Sequence, residues 1–329
     1  MEISFAQNFD DSEIKHIDHP DWFIESPFLD LSEDLNKATS NGKKGLMIFF
    51  TTEGCSYCDL FIRLSLRDPE VATIVQKNFD SIGLEIFDDI EMTTPEGILT
   101  SVKQFAKKEG VEFSPTLLFY GKNGKRILRL IGYQSPERFK SIIGYLADDH
   151  YQSESLTIYL SRQKDLKQNK DDLNNAALIN DPLFEQPPYA LDRSHFPAYQ
   201  PLLVIFEKTS CSECINFHTS VLALPDVRET LKQFEIVQLS AEDDKTPILA
   251  PDGQQITPAH WYKQTSLSRV PALLFFDKRG NEVLKTDALV LHQRMINSLN
   301  YVLEQAYKKD WTYQQFARSK AIERFQSKQ

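Results

Sequence analysis

The chain has 329 residues, 41% of them hydrophobic and 26% charged, with a formal net charge of −10. That length suffices for two domains with separate cores, and the balance is that of a globular chain, not a disordered one. The negative charge argues against nucleic acid and anionic membranes as partners, and no apolar run approaches the roughly 20 residues of a membrane span, so an integral membrane protein is not expected.

The start, Met1-Glu2-Ile3-Ser4, lacks the basic and apolar regions of a secretory signal. Two readings stay open: a cytoplasmic chain, or a mature form from which a signal was removed. Asp10 to Ser40 reads as an arm followed by a helix. Leu46-Met47-Ile48-Phe49-Phe50 reads as a buried strand, and four residues later comes Cys55-Ser56-Tyr57-Cys58. Leu60, Phe61, Leu64 and Leu66 then recur at helical spacing up to Asp68-Pro69, where a helix should break or kink. A strand is predicted over Ser81–Phe87 and a helix over Leu99–Lys108. Pro115 opens another strand, Thr116–Tyr120, and the turn Lys122-Asn123-Gly124 joins it to Arg126–Ile131 as a hairpin. Ser135-Pro136-Glu137 supplies a capping serine and a first-turn proline for a helix to about Ala147. A last helix spans Leu156–Leu166. Gln168 to Gln200, first polar and then interrupted by Pro182, Pro187, Pro188 and Pro197, has the composition of a linker with room for a short helix.

The same order then repeats. Cys211 and Cys214 follow Cys55 and Cys58 by 156 residues, and that offset also carries Pro69 to Pro225, Pro95 to Pro251, Gly97 to Gly253, Pro115 to Pro271, Gly124 to Gly280 and Tyr145 to Tyr301. Chance would scatter such matches over many offsets. The period is too long for a solenoid, so two complete domains are expected: residues 1–167 with the arm, a linker at 168–200, and residues 201–329.

The four cysteines form two Cys-X-X-Cys pairs and leave none for a structural disulfide framework. Two intervening residues at a helix start suit thiol–disulfide exchange. The first sulfur meets unpaired N–H groups that stabilise a thiolate, and the second can reach a mixed disulfide. Cys55 and Cys211 are therefore the candidate nucleophiles, and Cys58 and Cys214 the candidate resolving thiols. A zinc site would draw its ligand pairs from closer in sequence. A c-type haem would need His after the motif, where Asp59 and Ile215 stand. Neither a metal nor a cofactor is called for.

Gly54-Cys55-Ser56-Tyr57-Cys58, Asp68-Pro69-Glu70-Val71, Pro95-Glu96-Gly97, Phe113-Ser114-Pro115-Thr116 and Ile131-Gly132-Tyr133 resemble the thioredoxin superfamily, and within it the SoxW-type periplasmic thioredoxins of sulfur-oxidising bacteria. Each repeat matches over nearly its whole length; the tandem arrangement departs from the single-domain members. The resemblance implies an α/β fold, two tandem thioredoxin-like domains, each a central mixed sheet flanked by helices. It implies cis peptides at Ser114–Pro115 and Val270–Pro271, facing the cysteines as substrate-binding loops; the plain alternative is a trans proline at a strand start. It implies protein thiols and disulfides as partners, with room for a membrane thiol reductase as electron donor, and a periplasmic setting with the cytoplasm as alternative.

Some thioredoxin features are missing. No Trp precedes either motif, and the acid expected six residues before the first cysteine is replaced by Phe49 and Ile205. Proton transfer to the resolving thiol must then use water or another carboxylate; Glu85 and Glu207 are the candidates, with solvated strand-end residues as the plainer reading of both. His218 reads as a surface helix residue, and the acidic stretches Asp88–Glu91 and Glu242–Asp244 as solvated turns. The leading function is a thiol–disulfide oxidoreductase acting on protein disulfides. A chaperone-like binding module and a disulfide isomerase are the alternatives. Glu213 in the second motif, against Tyr57 in the first, and Ser114 against Val270, lead to the expectation that the Cys55–Cys58 pair is the more oxidising.

Overall fold

The computed structural model describes residues 9–167 and 178–327. The first residues of the chain and the polar stretch Lys170 to Asn175 lie outside them. The chain divides into two compact units, Met1–Asn169 and Lys170–Gln329.

In the first unit the order is α1 (Leu31–Ser40), β1 (Gly45–Thr51), α2 (Ser56–Phe61), a π-helical turn (Ile62–Leu66), α3 (Pro69–Asn78), β2 (Phe79–Glu85), β3 (Glu91–Thr93), β4 (Leu99–Ser101), α4 (Val102–Lys108), β5 (Thr116–Gly121), β6 (Arg126–Ile131), α5 (Pro136–Ala147) and α6 (Leu156–Lys167). The sheet runs β2-β1-β5-β6, with β1 parallel to β2 and antiparallel to β5. Every residue of β1 is buried, as expected of a central strand covered on both faces. Alternation sends Met47 and Phe49 to one face with Phe61, Val71, Phe139 and Ile142, and Leu46, Ile48 and Phe50 to the other with Leu31, Leu35, Val102 and Phe105. Replacing a ring such as Phe49 by alanine would cost about 3–5 kcal/mol.

Local chemistry sets the ends. Asp68 accepts from the N–H groups of Glu70 and Val71, and Pro69 begins α3, where its missing N–H costs nothing. Ser135 caps α5 in the same way. The helix expected from Leu99 starts instead at Val102. Leu99 and Thr100 pair with Thr93 and Met92 in a short hairpin, and the Ser101 hydroxyl caps α4. Exposed Ile98 and Leu99 imitate a helical apolar face in sequence, but the turn at Gly97, with φ +83°, folds them back as a strand.

The second unit repeats this with β7 (Leu202–Glu207), α7 (Ser212–Phe217), a π-helical turn (His218–Leu222), α8 (Pro225–Leu231), β8 (Glu235–Ser240), β9 (Ile248–Leu249), β10 (Gln255–Ile256), α9 (Pro258–Gln264), β11 (Ala272–Phe276), β12 (Glu282–Thr286), α10 (His292–Leu303) and α11 (Tyr313–Gln326). Its sheet order is β12-β11-β7-β8, with β7 parallel to β8 and antiparallel to β11. Both units therefore have the thioredoxin-like architecture.

The described part of the proline-rich stretch, 178–200, holds no helix and packs on this second unit. Glu185 N–H donates to the Ile236 carbonyl, Leu191 is buried, and the buried Arg193 reaches Glu235 and the Asp277 carbonyl. The first unit has a parallel in its arm, where Ile24 N–H donates to the Ser81 carbonyl of β2. Gly83 in β2 is a glycine because the His19 ring lies on it; a Cβ there would come 2.4 Å from Nε2.

Candidate active site

Each central strand, β1 or β7, leads from its C-terminal end into a Cys-X-X-Cys motif, where the chain reverses into a helix. The reversal needs a left-handed residue directly before the first cysteine. Gly54 takes it freely at φ +85°, whereas Ser210 adopts φ +55° with a side chain. Cys55 and Cys211 fall at the N-caps of α2 and α7. Their sulfurs accept the N–H of Cys58 at 3.1 Å and of Cys214 at 3.0 Å. A sulfur in that position faces the unpaired amides of the first turn, which favours the thiolate.

Both pairs are closed as disulfides, Cys55–Cys58 and Cys211–Cys214. Cys58 is fully buried and Cys55 half-buried. In the second unit Cys211 is 9% exposed and Cys214 2%, a narrower contrast.

The register Phe50↔Thr116 and Phe206↔Ala272 puts Pro115 and Pro271, each just before β5 or β11, at the same sheet end as the cysteines. Ser114–Pro115 and Val270–Pro271 are cis, as is Pro187–Pro188, which the sequence reading did not anticipate. Ser114 and Pro115 are buried, whereas Val270 and Pro271 are half-buried. Asp287 shapes the second loop by accepting from the N–H groups of Ser268 and Arg269, at 2.7 and 3.1 Å.

Four groups, Glu207, His218, Glu85 and Asp243, make contacts that the sequence did not show. Glu207 is not solvated: it is 1% exposed and lies 3.0 Å from His218 Nε2, so His218, 7% exposed, is not a surface residue either. The apolar wall of Phe184 and Phe217 explains why both polar groups turn inward and pair. Glu85 is half-buried and fastens the first loop, its carboxylate accepting from Glu53 N–H at 2.6 Å and Phe87 N–H at 3.3 Å. Asp243, in the second acidic stretch, is held below the usual carboxylate range by N–H groups of Lys245 and Thr246.

The sequence shows an arm but not where it docks. In the first unit Gly54 N–H donates to the Lys15 carbonyl (3.1 Å), Ser56 Oγ–H to the Asp11 carbonyl (3.2 Å) and the Tyr57 hydroxyl to Asp11 Oδ2 (2.7 Å). Phe9 lies edge-on to Tyr57 at 5.4 Å. The arm therefore runs along the redox loop, joined to it through Gly54, Ser56 and Tyr57 on either side of Cys55.

These features define a pair of thioredoxin-fold redox sites. The chain belongs to the thioredoxin-like domain family, which it matches twice, over residues 31–147 and 197–303. Among solved structures it is similar to a thioredoxin-fold protein from Helicobacter pylori, with 24% identity over 38% of this chain and 87% of that one and a TM-score of 0.33. A thioredoxin from Thermus thermophilus shows 25% identity over 36% and 83%, with a TM-score of 0.28. The reduced DsbD C-terminal domain from Neisseria meningitidis shows 18% over 34% and 85%, with a TM-score of 0.25. No curated protein matches the chain. Among the described residues no helix is long and apolar enough to cross a membrane.

Proposed function

We propose that the protein is a thiol–disulfide oxidoreductase with two redox centres, Cys55–Cys58 and Cys211–Cys214, acting on protein disulfides. The observation that supports this most is the asymmetry inside each pair. The first cysteine is an N-cap sulfur at a helix start, and the second is the more buried of the two, behind it. In the reduced state the thiolate of Cys55 or Cys211 attacks a substrate sulfur, and a mixed disulfide forms as the substrate disulfide opens. Cys58 or Cys214 then attacks the first cysteine, closing the protein disulfide and releasing the substrate as a dithiol. The edge beside Ser114–Pro115 or Val270–Pro271 is where an extended substrate strand would lie.

Reduction of insulin by dithiothreitol tests this reading. The chain should accelerate precipitation, each of Cys55→Ser and Cys211→Ser should remove part of the rate, and the double variant all of it. Client binding that persists with no turnover in the parent chain would instead make it a binding module. Refolding of a scrambled substrate faster than its reduction would make it an isomerase. The resemblance to exported thioredoxins leads us to place the protein in a periplasm, served by a membrane thiol reductase. Fractionation of the source cells, with the protein retained in the cytoplasmic fraction, would reverse that placement.

A further inference from the structure

The carboxylate of Glu207, at the end of β7, is held on two sides. His218 Nε2 lies 3.0 Å from Oε1 and 3.2 Å from Oε2, and the Gln238 amide of β8 donates to Oε2 at 2.7 Å. The same amide donates to the Ile179 carbonyl at 2.9 Å, and the Phe184 ring meets the imidazole edge-to-face at 5.6 Å. Beyond His218 stands Asp181, locked on Arg228 by two hydrogen bonds of 2.8 and 3.0 Å. The backbone N–H of His218 donates to the Cys214 carbonyl, so one α-helical turn separates the imidazole from the resolving cysteine. Side chains so related share a helix face, with Cβ atoms about 5–6 Å apart.

The repeat supplies the control. The 156-residue offset puts Thr51, Ile62 and Ile82 where Glu207, His218 and Gln238 stand, and all three are buried. The fold thus builds this strand end and helix turn without a carboxylate, an imidazole or an amide. Replacing a buried polar or ionic pair by well-packed apolar residues is often neutral or stabilising, so stability does not explain the polar trio. Its three members occur together in the unit that carries Cys211 and Cys214, and His218 stands one helical turn from Cys214, a buried thiol whose attack requires the loss of a proton.

We propose that Glu207 and His218 are the proton acceptor for Cys214, with Gln238 positioning the carboxylate, and that the first centre resolves without such a pair. The proposal rests on the reading of Cys211 as nucleophile. With a substrate sulfur on Cys211, the Cys214 S–H gives its proton to the pair. The freed electron pair forms the bond to Cys211 Sγ. The bond from Cys211 to the substrate sulfur breaks with its electrons on the substrate, which takes a proton from solvent. The dithiol loses two electrons and the substrate disulfide gains them.

The test uses the full chain with Cys55→Ser and Cys58→Ser, so that the second pair alone reacts. The reduced protein is mixed with oxidised glutathione, quenched in acid and resolved by mass. This gives the rate at which Cys211 is captured and the lifetime of its glutathione mixed disulfide. Glu207→Gln and His218→Gln should leave capture within about twofold and lengthen the mixed disulfide at least about tenfold, since a positioned base typically contributes 10²–10⁴-fold. Glu207→Asp, which keeps a carboxylate, should restore most of the rate, and Cys214→Ser sets the unresolved limit. If Glu207→Gln does not fold, as judged by circular dichroism, His218→Gln decides. Unchanged lifetimes, or capture and resolution slowing together, overturn the proposal. A parent chain that forms no mixed disulfide at Cys211 removes the underlying reading, and the proposal with it.

Discussion

Cys58 has no exposed surface, while Cys55 sits half-exposed at a helix N-cap. After reduction, brief alkylation should label Cys55 well before Cys58, because both access and thiolate stabilisation favour the first position. Cys211 should precede Cys214 by a smaller margin, given their closer exposures. Mass mapping at short times checks this, and early label on Cys58 or Cys214 would contradict the assignment of nucleophiles. A second residue, away from the redox loop, sets a pH dependence. Asp34 in α1 is buried, and burial pushes its carboxyl above the usual range, although a hydrogen bond from Ser26 pulls the other way. The native state then holds this proton at pH values where the unfolded chain has released it. Stability from this group is present below the ordinary carboxylate pKa and is lost as pH rises through the raised value. Asp34→Asn should therefore lift Tm by a few degrees at pH 7 and leave it nearly unchanged at pH 3. An equal shift at both would show that charge burial is not the cause.

The elements that could be read from the sequence are those fixed by local chemistry. The continuous apolar run of β1, the Asp68-Pro69 helix start, the Ser135 cap and the Gly124 turn all carry their signal within a few residues. What was hidden depends on contacts made at a distance. Glu207 and His218 each look solvated alone, and only the pairing across eleven positions explains their burial. The π-helical turns after both motifs leave no trace in apolar spacing. The arm itself was legible, but its docking gave no signal because polar groups and backbone bind it to the loop. Tyr57 donates to the Asp11 carboxylate and Gly54 N–H to the Lys15 carbonyl. That arm shields the first motif. Asp11→Ala should loosen it and raise the alkylation rate of reduced Cys55 about tenfold, near the lower end of the roughly 1.5–3 kcal/mol that a hydrogen bond to a charged group contributes, because Asp11 is half-exposed. Cys211 in the same chain is the internal reference. A Cys55 rate that does not move relative to Cys211 would mean that the arm does not limit access.

At the scale of the whole molecule the chain is one fold used twice, and its two redox centres have diverged where the scaffold permits. We expect the Cys55–Cys58 pair to be the more oxidising. Glu213, inside the second motif, is exposed, so water screens most of its effect on Cys211. Glu207 is the stronger influence because it is buried, where a carboxylate is screened least by water and salt. Like charge near a thiolate raises the thiol pKa and disfavours the reduced, thiolate-bearing form. Asp11 brings a carboxylate to the first site as well. It stands half-exposed on the arm, where the effective dielectric is nearer that of water, and two charges 4 Å apart interact about fourfold more weakly at a dielectric of 80 than of 20. The balance therefore lowers the potential of Cys211–Cys214 by an amount on the order of tens of millivolts, about 30 mV for each 1.4 kcal/mol. Glutathione titration of the full chain, once with Cys211→Ser and Cys214→Ser and once with Cys55→Ser and Cys58→Ser, measures each pair in its native setting. Adding Glu207→Gln to the second chain should raise its potential toward that of the first. A lower potential for Cys55–Cys58, or no response to Glu207→Gln, would show that the buried carboxylate does not set the order.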